Sequence, residues 1–204
     1  MSERRPAKNL LSSLKNVSWD VAHRTYGSSH ATWIGLLARW WVHLDPSSHT
    51  VLDGAPSFGK GRVGQADALF CATDCPVGVL EVEGSVPEDK LWTIERYFKS
   101  RRPELQTIRF GVLMVYSYSP KGSGAARAFP RAEDPAVTQA ARKVSAKHPD
   151  RSLILVALDK QFGRHEGVRA TSEYYSGTLR QVTGVRLSKG DEVERHVLYR
   201  GPGS

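Results

Sequence analysis

The sequence predicts a mixed α/β fold, with a mixed central β-sheet flanked by helices, and three observations carry that prediction. Apolar, β-prone runs, VGVLEVE, TIRFGVLMVYSYS and RSLILVALDK, are separated by segments of helical periodicity. Two short strand-like runs on either side of the turn-prone CATDCP come before a helix, which puts an antiparallel hairpin ahead of a crossover. Two β-prone pieces around SKGDE then close the chain as a terminal hairpin, over about 173–199.

Taken in order, residues 1–27 read as an N-terminal helical extension and about 28–160 as the core of a single domain. Trp33, Leu36, Leu37, Trp40, Trp41 and Leu44 recur at helical spacing behind the capping candidates Ser28 and Ser29, which predicts a helix over 29–44 ended by Pro46. The tryptophan stripe reads as core rather than as a base-stacking surface. Residues 51–64 are rich in glycine and predict a turn or a short irregular strand. GQADALF, 64–70, and VGVLEVE, 77–83, are the hairpin strands. Ser85 as N-cap, Pro87 in the first turn and Glu88 in capping-box position predict a helix over 86–101, with Leu91, Ile94, Tyr97 and Phe98 facing the core. Lys90, Glu95, Arg96, Lys99 and Arg101 are left on its outer side for solvent or ligand. A strand over 107–119, an exposed basic loop over 120–135, a helix from Asp134 and Pro135 to about 147 with a stripe of Val137, Ala140, Ala141 and Val144, and a buried strand over 151–160 follow.

Composition narrows the function classes. The 204 residues are 40% apolar and 25% charged, and no apolar run approaches the roughly 18 residues needed to cross a bilayer. The N-terminus lacks the apolar run and small-residue cleavage site of a secretory signal, so an intracellular, cytoplasmic setting is expected. Cys71 and Cys75 alone are too few for a disulfide framework or a structural zinc site and read as idle thiols. The net charge of +8 favours a polyanionic partner, with nucleic acid the first candidate.

Chemistry concentrates on the hairpin. Glu81 and Glu83 are two residues apart on a strand and so share a face, while Leu80 and Val82 point the other way. Asp67, on the neighbouring strand, can bring a third carboxylate to the same face. Like charges placed together share a proton or hold a cation, and oxygen-only donors favour magnesium or manganese. Such an ion in a basic protein points to hydrolysis of a nucleic-acid backbone. His23, His30, His43 and His49 read as surface or capping histidines, and Asp45 and Asp53 could add an acid only if the chain bends back.

The pattern Gln65-Ala66-Asp67, thirteen intervening residues, then Glu81-Val82-Glu83, followed by a capped helix, resembles the PD-(D/E)xK nuclease superfamily. That resemblance implies a restriction-endonuclease-like core and a magnesium-dependent DNA endonuclease, with manganese as an alternative ion, acting as a homodimer. Asp67 and Glu81 would be metal ligands, the Val82 carbonyl a further ligand, and Glu83 would stand in for the family's lysine. Alternatively, Lys90 or Lys99 from the following helix, or Lys60 from the preceding loop, supplies the missing positive charge. Lys60, Arg62, Lys90, Arg96 and Lys99 are the expected nucleic-acid contacts. The competing expectations are, from another class, a nucleic-acid-binding relative that has lost its chemistry and, third, a metal-dependent hydrolase of small phosphorylated substrates.

Overall fold

The computed structural model describes residues 9–26, 29–44, 47–52, 65–83, 87–116, 135–161 and 178–202. Lys60, Arg62, Asp45, Asp53, Ser28, Ser85, Asp134 and the basic loop 120–132 lie outside the described residues. Seven strands form one sheet in strictly sequential order: β1 (Ser48–Leu52), β2 (Ala68–Ala72), β3 (Cys75–Glu83), β4 (Phe110–Val115), β5 (Ser152–Gln161), β6 (Thr178–Ser188) and β7 (Asp191–Arg200). Neighbours β3–β4 and β4–β5 are parallel and the other pairs antiparallel, so the sheet is mixed, as expected. The terminal hairpin is β6–β7, turning at Lys189 and Gly190, both at positive φ.

The two parallel steps demand crossovers, and helices α4 (Pro87–Lys99) and α5 (Pro135–Lys147) supply them. Because β3, β4 and β5 are added in the same direction, right-handed crossovers put both helices on one face. There Leu91, Ile94, Phe98, Val137, Ala141 and Val144 pack on Leu69, Val79, Leu113, Leu153 and Leu187. Gly111 permits the close approach: a Cβ at that position would lie 2.5 Å from the Ile94 Cγ2.

The opposite face is covered by the N-terminal helices α1 (Leu10–Ser13), α2 (Trp19–Tyr26) and α3 (His30–Leu44). Leu11, Trp19, Trp33, Leu37, Trp40 and Trp41 meet Phe70, Leu80, Val82, Phe110 and Ile154 in a second core layer. Trp41 and Phe70 rings lie 5.3 Å apart, and the Trp41 indole donates to the Cys71 carbonyl at 2.9 Å, so a large polar-edged side chain is buried with its N–H satisfied. The tryptophan stripe is core, as its spacing predicts. Leu44, at the end of that stripe, is instead exposed.

Several local expectations need correction. Asp67 lies not within a strand but immediately before β2. The strand ahead of the hairpin is Ser48–Leu52, earlier than the glycine-rich run suggested. His23 is buried and stacks on Trp33 at 6.3 Å, so it belongs to the core rather than to the surface. Glu95, expected on the outer side of α4, is buried between α4 and α5. Its carboxylate meets Lys99 at 2.6 Å and Lys147 at 3.0 Å. Cys71 is buried and Cys75 exposed, and both thiols are free; burial pushes the Cys71 thiol up to about 11, which leaves it unreactive. Among the described residues, no helix is long and apolar enough to cross a membrane.

Candidate functional site

The acidic residues meet where β3 ends and α4 begins, at the carboxyl end of the parallel strands, where open α/β sheets place their ligand crevices. Alternation along β3 sends Val79 and Glu81 to the α4 side and Leu80 and Val82 to the α3 side. Glu81 is therefore carried into the interior by strand geometry, and its side chain has no solvent exposure. Asp67 approaches from the chain entering β2. The Val82 backbone N–H donates to its Oδ2 at 2.7 Å, which ties the carboxylate to the same level of the sheet as Glu81. One residue earlier, the buried Ala66 N–H donates to the Tyr97 hydroxyl at 3.3 Å, so α4 also holds this entry segment in place.

Lys90 is the third member of the group. It lies in the first turn of α4, and its ammonium reaches between the acids, 2.7 Å from Glu81 Oε2 and 3.4 Å from Asp67 Oδ2. The Lys90 ammonium lies against Glu81 Oε2, while Glu81 Oε1 is buried without a hydrogen-bond partner among the described residues. Burial, and to a lesser degree the Asp67 charge, pushes the Glu81 carboxyl up to about 8 against the opposing pull of Lys90. Burial works against the Lys90 charge, but Glu81 and Asp67 outweigh it and the ammonium pKa rises. The centre thus sets two acids against one ammonium, and burial disfavours the charged form of Glu81.

The expected cluster of three acids is replaced by two acids and a lysine. Glu83 continues the β3 alternation at a partly buried position, but among the described residues no three His, Cys, Asp or Glu side chains gather as one ligating group. Of the other basic residues expected at nucleic acid, Arg96 stacks its guanidinium 3.6 Å over the exposed Trp92 ring, and Lys99 is committed to Glu95. Among the described members of that set, Lys90 alone reaches the acids. The oxygen donors suit a hard divalent cation, with Asp67, Glu81 and the Val82 carbonyl as the groups that would hold it, the buried Glu81 Oε1 having no hydrogen-bond partner among the described residues.

Sequence reasoning missed His30. Ser29 caps α3, its Oγ accepting from the Thr32 N–H at 3.1 Å, and this sets the first helical residue over the end of β3. His30 Nε2 lies 3.0 Å from the Val82 carbonyl oxygen and 3.3 Å from Asp67 Oδ2. The capping serine was a legible signal for the helix start, but the docking of α3 against β3 was not.

Fold and site together define a mixed α/β protein with a buried and a partly buried carboxylate, bridged by a helix-borne lysine, at the carboxyl edge of its sheet. No protein-family model, no curated protein and no solved structure matches the chain.

Proposed function

We propose that the protein is a metal-dependent endonuclease that hydrolyses the DNA backbone, with Asp67, Glu81 and Lys90 as its working side chains. The observation that carries this reading is the ammonium of Lys90 lying against both carboxylates. In the nuclease pattern that the sequence resembles, a lysine stands where this chain has Glu83, and Lys90 brings an equivalent charge from the crossover helix instead. The net charge of +8 adds long-range attraction for a polyanion.

When bound, a magnesium or manganese ion supplies Lewis-acid polarisation of the phosphoryl oxygen and a more acidic water. Asp67 and Glu81, with the Val82 carbonyl, would hold that ion. The Val82 N–H keeps the Asp67 carboxylate oriented at the end of β3, beside Lys90. Lys90 has three N–H donors and a side chain that is about one-quarter exposed, so it can hold a water or a phosphate oxygen while still touching the acids. Desolvation strengthens each of these charge contacts relative to water.

The test is cleavage of plasmid and linear duplex DNA in magnesium and in manganese. Cutting by the parent protein, lost in D67A, E81A and K90A with duplex binding retained, supports the proposal; cutting that persists in all three variants refutes it. Salt-dependent binding without hydrolysis in either metal would assign instead an inert nucleic-acid-binding protein of the same fold. A homodimer, one site for each strand, accompanies the proposal. Sedimentation with a short duplex tests that arrangement, and a single protomer making double-strand breaks refutes it.

A further inference from the structure

We infer that the opposite end of the sheet, where α4 and α5 stop and β4 and β5 begin, is a second site that binds a phosphate-type oxyanion through Arg151, His148 and Lys147. It stands apart from the metal site proposed above. Each crossover helix starts beyond the carboxyl end of one parallel strand and returns to the amino end of the next, so Lys99, Lys147, His148 and Arg151 gather away from Asp67 and Glu81. From Lys90 to Lys99 the helix rises about 13 Å. Only the fold makes this group, because Lys99 and Lys147 meet through Glu95, which touches both.

Arg109 immediately precedes β4, and its carbonyl accepts from the Ser152 N–H at 3.0 Å, which brings it beside Arg151. Lys99, Arg109, Lys147 and Arg151 thus stand against one buried acid, Glu95, and one largely exposed acid, Asp150. Lysines at helix ends offset the helix dipole, which accounts for Lys99 and Lys147. It does not account for Arg151. That side chain is nine-tenths buried, yet its Nε and Nη1 have no hydrogen-bond partner among the described residues, and neither has the buried His148 Nε2, 4.0 Å from the Glu95 carboxylate. Buried donors left unmade are costly, so a group of them marks the place of an acceptor. The turn after α5 sets both side chains there: the Arg151 N–H donates to the His148 carbonyl at 3.0 Å, and the guanidinium and the imidazole lie 5.3 Å and 5.4 Å from the Phe98 ring.

The acid facing the guanidinium is Asp150, 3.6 Å from Nε, with a side chain that is 65% exposed. It is a loosely held cover, and an oxyanion taking its place offers several acceptors to the planar fork at once. Lys147 gives a donor to Glu95, remains more than half exposed and keeps further donors for the same anion. Burial holds both the Arg151 guanidinium and the His148 imidazole below their ordinary values, and the neighbouring charges of Arg109 and Arg151, respectively, lower them further, as surplus positive charge requires.

The experiment is titration of the full chain in a chelator with inorganic phosphate and, separately, with a short DNA duplex, followed by nitrogen-15 NMR of the arginine side-chain N–H groups. The chelator keeps the outcome independent of the proposed metal site, and no cleavage is read. Arg151→Gln assigns the Arg151 Nε–H resonance, which in the parent should move saturably with phosphate. Phosphate affinity should fall at least tenfold in Arg151→Gln and at least threefold in Lys147→Gln, and should rise at least threefold in Asp150→Asn, which removes the competing acid. A duplex that moves the same resonance and displaces phosphate assigns the anion to a nucleic-acid backbone; a duplex that leaves it unmoved assigns it to a free phosphate, and either result supports the oxyanion site. An Arg151 resonance unmoved by both probes overturns it, as does phosphate affinity unchanged in both Arg151→Gln and Asp150→Asn. The parent titration and the exposed Asp150 variant decide the point even if Arg151→Gln folds poorly.

Discussion

Replacing Glu81 by glutamine should make the metal-free protein more stable, although the residue is central to the proposed activity. A carboxyl that ionises near 4.5 in the unfolded chain and at about 8 in the folded one keeps its proton longer when native. Between those values the native state binds more protons than the unfolded state, so stability falls as pH rises through the window. At about 1.4 kcal/mol for each pH unit the ceiling is about 5 kcal/mol. Glutamine keeps the shape and an acceptor for Lys90 but never ionises. Lys90 does not become an uncompensated buried charge, because it retains Asp67 at 3.4 Å and keeps part of its surface in water. After this loss of one ion-pair partner, a net gain of about 2 kcal/mol above pH 8 is expected, or roughly 4–8 °C in Tm for a chain of this size. Thermal and urea unfolding of both proteins in a chelator, from pH 4 to pH 9, provide the measurement. The difference should be near zero at pH 4 and widen toward pH 9; a flat difference, or a variant less stable than its parent at pH 8, would refute the assignment of Glu81 as a strained, cation-seeking acid.

Four further outcomes follow from the same geometry. Adding magnesium or manganese should raise the Tm of the parent protein by mass action and leave E81Q unchanged, which calorimetric scans with and without the ion can check. Lys90→Ala should lower cleavage at least a hundredfold, and adding Glu83→Lys in that background, which returns an ammonium to β3, should restore at least tenfold; no recovery in the plasmid assay would count against a migrated lysine. Glu95→Ala should destabilise by about 1–3 kcal/mol at pH 7, since it removes the partner of Lys99 and Lys147. The lysines hold the Glu95 carboxyl below its ordinary value despite burial, so that loss should shrink as pH falls through the carboxylate range, read by denaturant midpoints at pH 3 and pH 7. Gly111→Ala should cost about 1–3 kcal/mol by urea unfolding, because the new methyl overlaps Ile94 unless α4 shifts.

Much of the fold was legible because its signals are local. The tryptophan spacing marked α3, Pro87 and the Leu91–Phe98 stripe marked α4, and the VGVLEVE alternation sent Glu81 and Val82 to opposite faces. Lys90 was legible as one of three places for the missing charge, since a helix starting at Pro87 puts it within one turn of the strand end. What was not legible depends on contacts between distant parts of the chain. His30 reaches the Val82 carbonyl, and Glu95 reaches Lys147, each across fifty-two residues, and no periodicity in either segment encodes the partner. Glu83 shows the same limit from the other side: alternation gives its face, but not whether a third acid is drawn into the group.

The placement of Lys90 on α4, while both acids belong to the hairpin, sets an order of assembly. The β2–β3 hairpin can form from contacts close in sequence, bringing Asp67 toward Glu81, but that unit alone carries repelling charge and no ammonium between the acids. The ammonium arrives only when Leu91, Ile94 and Phe98 have sealed the helix onto the sheet. The proposed chemistry therefore requires α4 to be docked on the sheet. An incompletely packed chain would hold the acids without the charge that makes them useful, and the recovery of activity on refolding would report the docking of one helix.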